Sequence, residues 1–289
     1  MRPTRAFTVS APDGALLRVL EYAAAPDAAS EAPTVVLAHG WALTHESWLP
    51  VIDRLVERGS RVVAYDQRGH GGSAALRGEP SVRGLGDDLG AVLDVTAPRG
   101  PVVLGGHSMG GMTIMAYAGL RPDEFADRVR GVVLVSTSAG DLPQGHHRAE
   151  RIAMRLVGRA PALPAGLFIT RRGQRRLLFG RAADPEQVRL TRDQVAATRL
   201  PTLGRFYSAL GSHDEADALA AFAGVPTVIL VGDCDRLTPV RHSRRLAGLL
   251  PHARLEVLEG CGHMLGYEAT DEVVAAFESV LAATQPERD

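Results

Sequence analysis

The 289-residue sequence predicts an α/β fold: a doubly wound, mostly parallel sheet of eight strands flanked by helices, with a helical insertion. Three observations lead there. Short β-branched runs alternate with helical patterns along the chain. Five of those runs are continuously apolar, as strands buried on both faces are. One long segment, 141–223, interrupts the alternation with helical patterns and no strand signal.

Phe7–Ser10 and Leu16–Glu21 alternate in polarity around Asp13-Gly14, so they are expected to form an antiparallel edge pair. Thr34–Ala38, Arg61–Tyr65, Val102–Gly106, Gly131–Ser136, Thr227–Val231 and Arg254–Leu258 supply the other strands. Val35-Val36-Leu37 and Val132-Val133-Leu134-Val135 are the clearest apolar runs. Between the later strands, helical patterns lie near Trp48–Glu57, Gly86–Val95, Met109–Ala118, Val240–Leu249 and Glu272–Leu281. The insertion carries thirteen arginines against eight acids. Prolines and glycines break it, and Gly158–Gly166 reads as a hinge or inter-helix loop. The expected organisation is a core of 1–140 and 224–289, with 141–223 sitting over one end of the sheet. Thr284–Asp289 is a short polar tail.

Composition excludes several functions. The chain is 45% hydrophobic and 22% charged, an ordinary globular balance, and its net charge of −1 gives no field to draw in nucleic acid or an anionic membrane. Every basic residue is arginine, which removes Schiff-base and P-loop lysines. Asparagine is absent, so no Cys-His-Asn triad or glycosylation sequon exists. Cys234 and Cys261 are too few for a disulfide framework or a cysteine zinc site. No apolar run follows Arg2 and Arg5, and no stretch is long enough to span a bilayer. The expectation is a cytoplasmic protein acting on a small molecule, with no metal or cofactor.

The strongest chemical signal is Gly106-His107-Ser108-Met109-Gly110. This G-x-S-x-G string ends a buried strand and opens a helical pattern. Such a turn forces the serine into a strained backbone conformation and brings the flanking chain so close that only small residues fit beside it. It lifts Ser108 Oγ above the sheet at a helix N-terminus, where developing negative charge is favoured. Serine needs a base oriented by an acid. His263, in Gly260-Cys261-Gly262-His263-Met264, follows the last strand. Gly232-Asp233-Cys234-Asp235 follows the strand before it and offers two acids. The chain order Ser, Asp, His places all three on the same edge of the sheet.

These residues resemble the α/β-hydrolase superfamily over the whole chain except the insertion, which corresponds to that family's variable cap. His39-Gly40-Trp41 matches the family's histidine-glycine pair. The resemblance implies Ser108 as nucleophile, His263 as base and, from the family spacing, Asp235 rather than Asp233 as acid. It implies an oxyanion hole from the backbone N–H groups of Trp41 and Met109. Asp66-Gln67-Arg68-Gly69-His70-Gly71 with Ser73 matches the family's D-x-R-G-x-G-x-S loop, in which Asp66 and His70 are architectural. Serine at the elbow argues against the aspartate-dependent dehalogenases and epoxide hydrolases of this fold. The implied activity is hydrolysis of a carboxylic ester through an acyl-enzyme, with the pattern closest to esterase and haloperoxidase-like members. Acyl transfer or thioester cleavage on the same triad, and a non-catalytic ligand-binding role, are the alternatives. Cys234 and Cys261 flank the acid and base loops without an expected disulfide. His146-His147 reads as exposed, Met112 and Met115 as core fillers. The arginines of the insertion read as solvated helix faces or as a site for an anionic substrate.

Overall fold

The computed structural model describes residues 1–23, 32–98, 100–142, 148–167 and 170–284. His146-His147 and 285–289 of the polar tail lie outside the described residues. Eight strands form one sheet: β1 (Arg5–Ser10), β2 (Leu16–Tyr22), β3 (Thr34–Ala38), β4 (Val62–Tyr65), β5 (Val102–His107), β6 (Val129–Val135), β7 (Thr227–Gly232) and β8 (Arg254–Leu258). Their spatial order is β1-β2-β4-β3-β5-β6-β7-β8. Strand β2 runs antiparallel to both neighbours, and every other pairing is parallel. The expected edge pair is present, turning at Gly14 with φ 80°. The strands from β3 to β7 are buried nearly end to end, which is why the sequence shows them as unbroken apolar runs.

The helices, in chain order, begin with α1 (Leu49–Glu57), α2 (Val82–Thr96), α3 (Met109–Leu120) and α4 (Pro122–Arg128). Helix α2 starts one turn before the predicted Gly86. Ser81 caps it by accepting from the Gly84 N–H at 3.0 Å, a signal diluted in the sequence by Arg83 and Gly84. Helix α4 was not expected, because its seven residues bury only Phe125 among apolar side chains. Strand β6 begins at Val129 rather than Gly131, with exposed Arg130 beside a register shift against β5. On one face of the sheet, Leu85, Leu89, Met112, Met115 and Phe125 pack together. On the other, Val51, Ile52 and Leu55 of α1 meet Val273 and Phe277. Helix α3 is buried all round, as the central helix of such a fold must be.

Between β6 and β7 the chain forms α5 (Arg148–Gly158), α6 (Arg171–Leu178), α7 (Pro185–Ala197) and α8 (Leu200–Gly211), then a short 3-10 turn at Asp217–Phe222. Gly158 does end a helix, and the stretch to Gly166 connects it onward. After β7 come α9 (Val240–Leu249), α10 (Leu265–Glu268) and α11 (Thr270–Ala282). Cross-links tie the inserted helices to the loops above the sheet. Gln194 Oε1 accepts from Thr44 N at 3.1 Å, Thr198 donates to the Ala42 carbonyl at 3.1 Å, and His263 N donates to the Leu178 carbonyl at 2.7 Å. Among the described residues no helix is long and apolar enough to cross a membrane.

Candidate active site

Ser108 follows β5 and precedes α3 with φ 52° and ψ −117°, a conformation that costs a non-glycine residue on the order of 1–3 kcal/mol. The surroundings enforce it. Ser108 N donates to the Val135 carbonyl at 2.9 Å, and its own carbonyl accepts from Thr137 Oγ1 at 2.7 Å. A Cβ at Gly106 would overlap the backbone of Gly110 and Gly111, and one at Gly110 would overlap the Ala38 carbonyl. The two glycines let the helix start against the sheet, and the serine takes the strained position between them.

His263 and Asp235 come together as a buried pair, with His263 Nδ1 2.8 Å from Asp235 Oδ2. Asp235 Oδ1 accepts from the N–H groups of Leu237 and Thr238, both at 2.9 Å. The Thr238 hydroxyl stands 2.9 Å from Oδ2 and 2.8 Å from the Ser136 carbonyl. Burial alone would raise the Asp235 pKa. The facing imidazole and these donors outweigh it and hold the carboxylate well below its ordinary value. Asp235 therefore stays ionised and fixes the proton on Nδ1, which leaves Nε2 as the basic nitrogen. Asp233 points elsewhere: it accepts from Gly260 N at 2.8 Å and pairs with exposed Arg181 at 3.4 Å.

Ser108 and His263 line one cavity of about 460 Å³, with no hydrogen bond between Oγ and the ring. Such contacts are often loose before substrate binds. Trp41 lies in the same wall, and Met109 opens α3. Among the described residues the N–H groups of both are free of protein acceptors, as the first amides of a helix or loop tip can be.

The loops that aim these groups are held by three buried neutral histidines. His107 Nε2 lies 2.9 Å from the His263 carbonyl; a carbonyl only accepts, so the ring donates there and pins the His263 loop. His39 donates through Nδ1 to the Gly40 carbonyl at 2.7 Å and accepts at Nε2 from Gln67 N at 2.9 Å. His70 donates to the Arg68 carbonyl at 3.0 Å and accepts from Ala42 N at 3.1 Å, fixing the residue after Trp41. Burial lowers their pKa values to about 3, about 4 and about 3 respectively. Asp66 accepts from His45 N at 2.9 Å, His45 Nδ1 at 2.8 Å and Gly72 N at 2.8 Å, so this loop braces the wall.

Two contributors were not visible in the sequence. Glu268 accepts from the N–H groups of Gly180 at 2.6 Å, Gly262 at 3.0 Å and Met264 at 3.2 Å, clamping both sides of His263 and the chain just after α6. Burial raises its pKa despite those donors. Thr238 is the other. Each joins a nearby loop to a distant backbone group, Gly180 N for Glu268 and the Ser136 carbonyl for Thr238. The rest of the cavity wall is mostly aliphatic: Leu43, Met112, Leu142, Leu177, Leu178 and Leu237 are among its residues. Among the described residues neither an arginine nor an acid lines it. Helix α6 explains why. Gly173, Gln174, Leu177 and Leu178 share the inner face, while Arg172, Arg175 and Arg176 are exposed. Cys234 and Cys261 are free thiols on neighbouring loops, joined by Cys234 N donating to the Cys261 carbonyl at 2.9 Å. No cluster of metal-ligating side chains occurs among the described residues.

The sequence profile of the serine aminopeptidase S33 family matches residues 29–270. A putative carbamate hydrolase, RutD of Variovorax paradoxus (strain S110), is 32% identical over 240 residues, covering 81% of this chain and 86% of that protein. The non-heme chloroperoxidase CPO-A1 of Kitasatospora aureofaciens is 28% identical over 244 residues, covering 79% and 84%. Among solved structures, a hydrolase from Pseudomonas aeruginosa PA01 superposes with TM-score 0.79 at 26% identity over 96% of this chain and 98% of that one. An esterase from Exiguobacterium antarcticum reaches TM-score 0.81 at 19% identity over 96% and 100%, a likeness of fold.

Proposed function

The chain belongs to the serine aminopeptidase S33 family of α/β-fold hydrolases, and we propose that it cleaves neutral carboxylic esters through a Ser108–His263–Asp235 triad and an acyl-enzyme. The observation that carries this reading is a largely aliphatic cavity with Ser108 and His263 in its wall and, among the described residues, no arginine or carboxylate. An aminopeptidase must neutralise a substrate ammonium, and among the described residues no carboxylate lines this cavity. An anionic substrate would find no arginine there among the described residues.

His263 Nε2 takes the Ser108 proton as Oγ attacks the ester carbonyl. The tetrahedral oxyanion is held by the N–H groups of Trp41 and Met109; losing one such donor typically costs about 10²–10³ in rate. Collapse expels the alkoxide, which leaves as the alcohol with the proton from His263. Water then attacks the acyl-enzyme, giving its proton to His263, and the carboxylic acid departs as Ser108 is restored. Asp235 keeps the imidazole in the productive tautomer and stabilises the imidazolium. Residues 1–140 and 224–289 form the catalytic core in this reading, and 141–223 the cap that shapes the pocket.

An ester panel with short to long acyl chains tests it. Turnover by the wild type and none above background by Ser108→Ala is the expected result. Equal activity in the variant would remove Ser108 as nucleophile. An added alcohol that competes with water for the acyl group would favour acyl transfer instead.

A further inference from the structure

The cavity wall holds a polar side chain, Gln174, that ester cleavage does not use. Gln174 lies on the inner face of α6 and forms part of the wall. It is 7% exposed, and among the described residues neither Oε1 nor Nε2 has a hydrogen-bond partner. A buried primary carboxamide with both ends unsatisfied costs folding free energy, and a leucine there would not. The other polar side chains of the wall have work. Thr238 supports Asp235, His107 holds the base loop, and Thr170 Oγ1 accepts from Gly173 N at 3.2 Å to cap α6. Trp41, whose indole N–H is also buried without a partner, can only donate. Gln174 alone offers an uncommitted donor and acceptor together.

The surroundings define what it would take. With neither arginine nor acid in the wall among the described residues, an ionised ligand group would be desolvated without a counter-charge. A neutral group that both donates and accepts matches the carboxamide without that penalty. Resting on the ester-hydrolase reading of this cavity, we propose that Gln174 is a specificity subsite. It turns its carboxamide into the cavity to pair with a hydroxyl or carboxamide of the substrate, away from the scissile ester. The preferred substrates are therefore neutral esters with a hydroxyl or carboxamide on an otherwise apolar acyl or alcohol chain. An enzyme for plain aliphatic esters would gain nothing from this residue.

The test uses size-matched esters that differ only at the distal end of the chain: hydroxyl against methyl, carboxamide against isopropyl, and a carboxylate. In the wild type, kcat/KM should favour the hydroxyl and carboxamide members by at least about tenfold, mostly through KM. Gln174→Leu and Gln174→Met should each lower that ratio by at least about tenfold and speed the all-apolar esters. Both should also raise the thermal midpoint, which excludes misfolding as the cause. Equal ratios in wild type and both variants would overturn the subsite, as would preference for the carboxylate. Calorimetry of the matching non-hydrolysable amides on Ser108→Ala, with and without Gln174→Leu, separates the two claims. Retained discrimination there without ester turnover would overturn the ester reading alone; turnover without discrimination would overturn the subsite alone.

Discussion

The two walls of the cavity follow opposite rules. On the core side, the polar side chains that hold the site loops are committed, the buried indole N–H of Trp41 excepted. Asp235 accepts from Leu237, Thr238 and His263; His39, His70 and His107 are each fixed in one tautomer by a carbonyl; Glu268 takes three backbone N–H groups. On the inserted side the wall is aliphatic, and Gln174 stands without a partner. A hydrogen-bonded network holds groups in fixed geometry, which chemistry requires. An aliphatic wall with one uncommitted amide is what the proposed subsite requires of the insertion. In the proposed reading, the chemistry belongs to the sheet loops and selectivity to the helices above them.

The contrast breaks most readily at Asp235. Asp235→Asn should lower kcat by about 10⁴ by allowing the wrong imidazole tautomer, whereas Asp233→Asn should stay within a few-fold. Paired kinetics of the two variants check this, and the reverse ranking would move the acid. Next in size is the clamp. Glu268→Gln should reduce kcat by up to about 10²-fold with little change in KM, because it loosens His263 without touching substrate. A rise in KM alone would instead make Glu268 part of the binding surface.

The pH dependence of stability sharpens the same comparison. His39, His70 and His107 are neutral in the folded protein, with pKa values lowered to about 4, about 3 and about 3. Once unfolded they take protons below the ordinary value of about 6.5, so the unfolded state binds more protons. Stability is thus fully present above that value and is lost as pH falls through the window toward 3. Each imidazole adds a slope of up to about 1.4 kcal/mol per pH unit. Urea unfolding between pH 7 and pH 4.5 should show the decline, and a flat profile would contradict the neutral assignments. Smallest of all, Arg172→Gln and Arg175→Gln should change KM for neutral and carboxylate esters alike by less than about twofold, since both side chains are exposed. A selective rise for the carboxylate ester would restore an anion-binding role.

Legibility in the sequence followed the same division. The strands were readable because burial on both faces writes a continuous apolar run, and Ser108 because its turn admits only small neighbours. Helix ends were less readable where Gly84 diluted the first turn of α2 and where α4 buried so little. The arginines of α6 resembled an anion site until the 3–4 spacing of Gly173, Gln174, Leu177 and Leu178 turned the other face inward. That spacing was present in the sequence. Glu268 and Thr238 were not legible, because the partners that give them their place, Gly180 N and the Ser136 carbonyl, come near only by folding. The same holds for Gln174, whose meaning lies in the partner it lacks.

The most direct test of the central claim is intact-mass analysis after exposure to a fluorophosphonate, on the wild type, Ser108→Ala and Asp235→Asn. One adduct on the wild type, slower labelling of Asp235→Asn and none on Ser108→Ala is the expected result. Undiminished labelling of Ser108→Ala, or a folded wild type that takes no label, would contradict an activated Ser108.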